Sequence, residues 1–445
     1  MKLKFYTFIS IVGLVASSAV QAVDLMETYR AAQINDPVFS AARAALQTGR
    51  EKLPQGRSLL LPSLNLTANT TFNDQASHYD ASAASFLNGS RQYNSHGYGV
   101  NLSQPLFRAQ NWLSYTEAQL QVAQAEAQFK AAEQDLVLRV AQNYFDVLIA
   151  QDTLKLAEAQ KTAISEQLDQ AKRNFEVGTA TITDTLEAQS RYDLTIAQQI
   201  AAENNLQVKR SALQQLINVV PNDLNSLGSG FKLEAPSPVD MEKWVEQALL
   251  NNPQLLAVQI NASVAEKEVS RTLSAHLPTL DLVANYTKNN ATGSIYGAND
   301  HNNQSNKTVA LQLSMPLFQG GMVNSKWHEA QANHERSKQD LENGRRTITT
   351  QTRQAYLGVV SGMAQVQALQ QALESSQSLY EASKLGHEVG IRTNLDVLNA
   401  QQQLFSTRRD LYQAQYNYLI SRLRLKSAVG SLDEQEISQI NLALH

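Results

Sequence analysis

The stretch L-P-S-L-N-L-T-A-N at residues 61–69 returns as L-P-T-L-D-L-V-A-N at residues 277–285. In the first copy Leu64, Leu66, Ala68, Thr70 and Phe72 alternate with Asn65, Thr67, Asn69 and Thr71; in the second Leu280, Leu282, Ala284 and Tyr286 alternate with Asp281, Val283 and Asn285. A period of two gives a strand one apolar and one polar face. The same alternation runs through Tyr98, Val100 and Leu102, and through Val309, Leu311, Leu313 and Met315. Four strands are therefore expected, near residues 62–72, 96–105, 278–287 and 307–316. Each has the length of a tilted membrane-spanning strand, about 9–11 residues. The Ser/Asn/Gly-rich segments 73–95 and 288–306 read as loops. Pro62, Pro105, Pro278 and Pro316 bracket the strands, where a missing N–H does least harm to a ladder.

Two further signatures repeat. S-Q-P-L-F at 103–107 returns as S-M-P-L-F at 314–318, and E-V-G-T-A-T-I-T-D-T-L-E-A-Q at 176–189 as E-V-G-I-R-T-N-L-D-V-L-N-A-Q at 388–401. The offsets are 216, 211 and 212 residues, far longer than a solenoid unit. The chain thus divides into a first repeat (23–217), a Pro/Gly-punctuated linker (218–238), a second repeat (239–430) and a charged C-terminal segment (431–445) expected to pack near the linker.

Between the strand pairs the sequence is helical. Residues 111–174 contain no Pro or Gly, and Val122, Ala125, Phe129, Ala132 and Leu136 fall at alternating spacings of three and four. This coiled-coil pattern slips near Val140 and Tyr144 and then resumes. A second long helix is expected over 323–386, with shorter ones near 37–60, 183–217, 253–275 and 394–429. Short helices at 25–34 and from Met241 precede the matching Asn35-Asp36-Pro37 and Asn251-Asn252-Pro253.

Lys2 and Lys4, an apolar run from Phe5 to Val15 and Val20-Gln21-Ala22 form an export signal over 1–22, with the mature chain starting at Val23. Removing it moves the formal charge from −4 to −6, 35 basic against 41 acidic residues. A mildly acidic chain argues against nucleic-acid binding. There is no cysteine, so stability must come from packing rather than disulfides.

No catalytic constellation, phosphate loop or cofactor motif emerges; an enzyme is not expected, nor a cofactor or metal. The eight histidines are scattered, and His328 and His334 do not share a helix face. The E-V-G elements lie where long helices end, so Gly178 and Gly390 suit a left-handed C-terminal cap, with Thr181 or Thr183 and Asn394 capping the next helices. Capping explains Gly and Thr but not why the first turn carries Asp184 and the second Arg392 and Asp396.

The doubled L-P-x-L-x-L, the S-x-P-L-F before each rod, Q-G-G-M-V-N-S at 319–325 and the paired E-V-G turns resemble those of TolC-type outer-membrane efflux channels, over nearly the whole mature chain. The resemblance implies a homotrimer with a 12-stranded transmembrane β-barrel, four strands per chain, continuous with a coiled-coil α-helical barrel and a mixed α/β equatorial region. It implies an outer-membrane exit duct reaching into the periplasm of a Gram-negative bacterium. A periplasmic adaptor and an inner-membrane pump would be its partners, and drugs or proteins its cargo. It also implies gate links by Asp184 and Thr183 with Arg392, and by His387 and Arg173, which stand where the enterobacterial proteins carry tyrosine and glutamine. Asp396 falls at the upper of two acidic entrance rings, and Asn399 at the lower, where an aspartate is missing. The competing expectation is an exported structural or adhesive coiled-coil protein with an ordinary sheet and no pore.

Overall fold

The structure is a computed structural model that describes residues 24–78, 80, 88–221, 224–228, 233–294, 297–442 and 444. The export signal at 1–22 lies outside these residues. In chain order the elements are α1 (Leu25–Asn35), α2 (Pro37–Arg50), α3 (Lys52–Ser58), β1 (Ser63–Ser77), β2 (Gly89–Phe107), α4 (Ala109–Glu176), α5 (Ile182–Ile217), α6 (Met241–Asn251), α7 (Pro253–Leu273), β3 (Thr279–Ser294), β4 (Gly297–Ser314), α8 (Met322–Glu388), α9 (Asn394–Ala428) and α10 (Glu434–Asn441). None of the described helices is long and apolar enough to cross a membrane.

Two expectations about boundaries are corrected. The single helix expected at 37–60 is two, α2 and α3, because Pro54 has no N–H to bond the Arg50 carbonyl. The polar segments expected as loops are largely strand: β1 reaches Ser77, β2 starts at Gly89, β3 reaches Ser294 and β4 starts at Gly297. Composition misled here because pairing satisfies the backbone while the polar side chains bond across strands. Asn73 Nδ2 donates to Ser95 Oγ at 2.9 Å, and Ser90 Oγ to Asp74 Oδ1 at 3.2 Å.

The described residues form two compact units. One comprises those of Ala41–Ala132 and Val245–Gln351 and holds the sheet. Its four strands are antiparallel in the order β1-β2-β3-β4. The register joins like faces: Leu64, Leu102, Ala284 and Val309 form one row, and Leu66, Val100, Tyr286 and Lys307 the next. On the opposite face Asn65, Asn101, Asn285 and Thr308 stand in a row. Gly97 lies between Asn69 and Asn289 on that polar face, and a Cβ there would meet Asn289 Oδ1 at 2.3 Å. Its hydrogen leaves room for amides from both neighbours.

The apolar face is uncovered. Leu66, Val309, Leu311 and Leu313 are each about 70% exposed, and β1 is exposed along nearly its whole length. The apolar band also has a slanted edge. Its last members are Phe72, Tyr98, Tyr286 and Val309, which in β1 register stand at 72, 68, 66 and 64. Two residues further along each strand come Asp74, His96, Lys288 and Lys307.

Near the sheet, Arg108 holds Asp281 through two bonds of 2.8 and 2.7 Å. Glu117 on α4 is buried beside Glu268 and Arg271 of α7, with Arg271 Nε at 3.6 Å from Oε2. Its Oε1 is buried without a hydrogen-bond partner. Burial, reinforced by the Glu268 charge and opposed by Arg271, pushes the Glu117 carboxyl up to about 7.

The other unit comprises the described residues of Met1–Ser40, Glu133–Trp244 and Thr352–His445. Its core explains the heptad slip. Leu136, Val137, Val140, Ala141, Tyr144, Phe145, Val147 and Leu148 of α4 are all buried, so this stretch is enclosed on several sides rather than along one seam. Phe145 stacks on Tyr416 at 5.7 Å, and Tyr416 donates to Asp152 at 2.9 Å. Tyrosines also tether the linker: Tyr144 Oη donates to the Asn225 carbonyl at 3.1 Å and Tyr418 Oη to that of Glu234 at 2.6 Å. The C-terminal segment runs beside the linker, where Leu444 pairs with Leu227. Asp36 caps α2 by accepting from Val38 and Phe39 N–H, and Arg139 reaches the same carboxylate at 2.8 Å.

Candidate functional site

The two E-V-G turns are built alike, atom by atom. After α4, Gly178 takes φ +79°, its N–H donates to Phe175 O at 3.0 Å, and Thr179 N–H donates to Asn174 O at 2.8 Å. After α8, Gly390 takes φ +80°, its N–H donates to His387 O at 3.0 Å, and Ile391 N–H donates to Gly386 O at 2.9 Å. These paired bonds are the Schellman closure of a helix C-terminus, which needs a left-handed residue and therefore favours glycine.

Each following helix opens with a capping box. Thr181 Oγ1 accepts from Asp184 N at 3.2 Å, while Thr181 N and Oγ1 donate to Asp184 Oδ2 at 2.9 and 2.8 Å. Thr393 and Asp396 repeat the arrangement with the same three distances. The second cap is thus Thr393 and not Asn394, which is the first helical residue. A threonine offers the hydroxyl acceptor, and the acid three residues on completes the box.

The turns differ in what projects from them. Arg392 stands where the first turn has Ala180, and its stem crosses Gly386, which stands where the first has Asn174. A Cβ on Gly386 would meet Arg392 Cγ at 2.7 Å, so the long side chain and the missing one belong together. The Arg392 guanidinium ends 4.0 Å from Asp396. The Thr393 N–H and hydroxyl, with a smaller contribution from Arg392, hold the Asp396 carboxyl below the usual carboxylate range.

Thr183 and Arg173 are exposed, His387 and Asp184 partly so. Within the chain no hydrogen bond or ion pair among the described residues joins any of these four to Arg392. Asn399 is exposed one turn beyond Asp396 and accepts from Arg191 Nη2 at 3.0 Å; Arg191 also bonds Gln402. Arg191, Thr393 and Gly386 escaped the sequence reading. Overlaying the halves at an offset of 212 exposes them, since it sets Arg191 against Gln403 and Asn174 against Gly386. Exposed apolar residues flank both turns: Val177 and Ile182 on the first, Val389 and Ile391 on the second.

The family model for "Outer membrane efflux protein" matches residues 28–219 and again residues 244–431. The chain is 33% identical to Outer membrane protein TolC of Escherichia coli (strain K12), over 96% of this chain and 86% of that one. It is also 33% identical to Alkaline protease secretion protein AprF of Pseudomonas aeruginosa, over 94% of this chain and 87% of that one. Among solved structures, the outer membrane protein VceC of Vibrio cholerae shares the fold at a TM-score of 0.78 and 17% identity, over 91% of this chain and 96% of the other.

Proposed function

The chain belongs to the outer membrane efflux protein family, and from that premise we propose that it is an outer-membrane exit duct. Three copies complete one 12-stranded barrel, and cargo handed over by a pump passes through it without chemistry.

The observation that carries this reading is the sheet. Among the described residues its edges β1 and β4 have no further strand partner, and its apolar face is registered across all four strands yet exposed on both edge strands. Val309, Leu311 and Leu313 of β4 are each at least 67% exposed, and leaving them in water costs on the order of 5 kcal/mol. Lipid removes that cost, and an unpaired, long, apolar strand is a template for another chain. Four strands cannot close a barrel, and bacterial outer-membrane barrels begin at about 8. The slanted band ending in Phe72, Tyr98 and Tyr286 fits strands tilted from the membrane normal, with aromatic residues at the interface.

At the helix tips, Asp396 supplies an acidic ring at the entrance, with Asn399 at the next level. Gate links form where Asp184 and Thr183 of one turn meet Arg392 of a neighbouring one, with His387 and Arg173 beside them; opening untwists the coiled coils. The apolar residues around both turns suit docking of a periplasmic adaptor beneath an inner-membrane pump. The family's name supports efflux and the name of AprF supports protein secretion, so small molecules and, by type I secretion, proteins are both proposed as cargo.

The test is reconstitution. Heat-resistant trimers from the outer-membrane fraction should form conducting pores in a planar bilayer. A water-soluble product without conductance would instead favour an exported structural or adhesive protein.

A further inference from the structure

The stripe Asp396, Asn399 and Gln402 lies opposite the buried face of α9 formed by Val397, Leu398, Ala400, Gln401 and Leu404. Residues three apart on a helix are surface neighbours, so the three polar groups stand in line. Arg191 reaches over from α5 and donates one N–H to Asn399 Oδ1 at 3.0 Å and another to Gln402 Oε1. The planar fork of a guanidinium spans two such acceptors, and its charge is permanent at any physiological pH. Both acceptors are neutral amides. They hold the fork in place and cancel none of its charge.

We propose that Arg191 is a selectivity-determining residue of the entrance: a fixed positive charge, clamped between α5 and α9, that offsets the Asp396 carboxylate. This rests on the reading that the two turns line the mouth of a conduit. Asn399 and Gln402 are one and two turns from Asp396, which places the guanidinium about 5–9 Å further along the helix axis. That separation is comparable to the Debye length at physiological salt, about 8 Å, so screening between the two charges is incomplete and a passing ion feels both. Threefold assembly would set three guanidiniums against three carboxylates. Arg392, already 4.0 Å from Asp396, tips the balance further from acidic. The mouth is therefore a mixed-charge constriction in which the cation preference of the Asp396 ring is largely cancelled, suited to cargo of either sign.

The experiment is the reversal potential across a planar bilayer under a KCl gradient, measured for the trimer with Arg191→Gln, Arg191→Lys and Asn399→Asp. One unit charge at this distance is worth about a two- to ten-fold change in cation-to-anion permeability ratio. Arg191→Gln should raise the ratio by that factor. Arg191→Lys keeps the charge and should leave the ratio near the parent value. Asn399→Asp, which sets a carboxylate against Arg191, should raise it as well. An unchanged ratio in Arg191→Gln overturns the proposal, as does Arg191→Lys shifting as far as Arg191→Gln. Absence of any channel in the parent protein would instead count against the conduit reading itself.

Discussion

Asp184 and Asp396 are one residue in two repeats, 212 positions apart, and each closes a capping box of the same three distances. The resemblance assigns them different duties, a gate link and an entrance ring. Their surroundings differ: Arg392 lies beside Asp396, and Ala180 stands in its place beside Asp184.

Charge and capping at Asp396 separate by substitution. Asp396→Asn keeps a side-chain oxygen for the Thr393 N–H and should lower cation preference with little loss of stability. Asp396→Ala should lower it equally and also weaken the start of α9 by about 1 kcal/mol. Bilayer selectivity and the thermal midpoint, measured side by side, check the pair.

Arg392→Ser should raise single-channel conductance by removing the gate-link donor. Gly386→Ala tests the same link without touching it, because the added methyl must push the Arg392 stem aside. Its conductance should rise in the same direction and by less. Closed-state conductance unchanged in both would remove Arg392 from the gate.

Glu117 gives the fold a pH dependence of determinate sign. Its carboxyl is raised to about 7, so its contribution is fully present below the unfolded carboxylate value, about 4.3, and is lost as pH rises through 7. Glu117→Gln removes the buried charge and should stabilise the protein at pH 8 by roughly 2–3 kcal/mol and hardly at pH 4. Thermal unfolding at the two pH values reads the widening gap.

The two faces of β4 should respond oppositely to a charge. Leu311→Arg, on the apolar face, should cost about 2–4 kcal/mol of insertion and reduce trimers in the outer-membrane fraction. Thr308→Arg, on the polar face, should insert normally and alter conductance.

Much of the architecture was legible because it is periodic. Alternation marked the four strands, a Pro- and Gly-free heptad run marked the first rod, and the repeat of its flanking signatures marked the second, despite interior Gly344, Gly358 and Gly362. Strand ends were not legible: residues such as Asn73, Asp74, Ser90 and Ser95 look like loop and become strand only through cross-strand partners 16–22 residues away. Thr393 was hidden by Asn394, a good cap residue one position too late. Arg191 was invisible for a deeper reason. It is an ordinary arginine on a polar helix until α9 brings Asn399 and Gln402 to it, and those residues lie more than 200 positions away.

The unpaired β1 and β4 give the sheet an order in concentration. In a trimer its last hydrogen bonds belong to no single chain, so closure depends on encounter among three chains and not on folding alone. Dilution then becomes a denaturant for the strands while leaving intrachain contacts such as Phe145 on Tyr416 untouched. Export must deliver chains faster than exposed edges find the wrong neighbour.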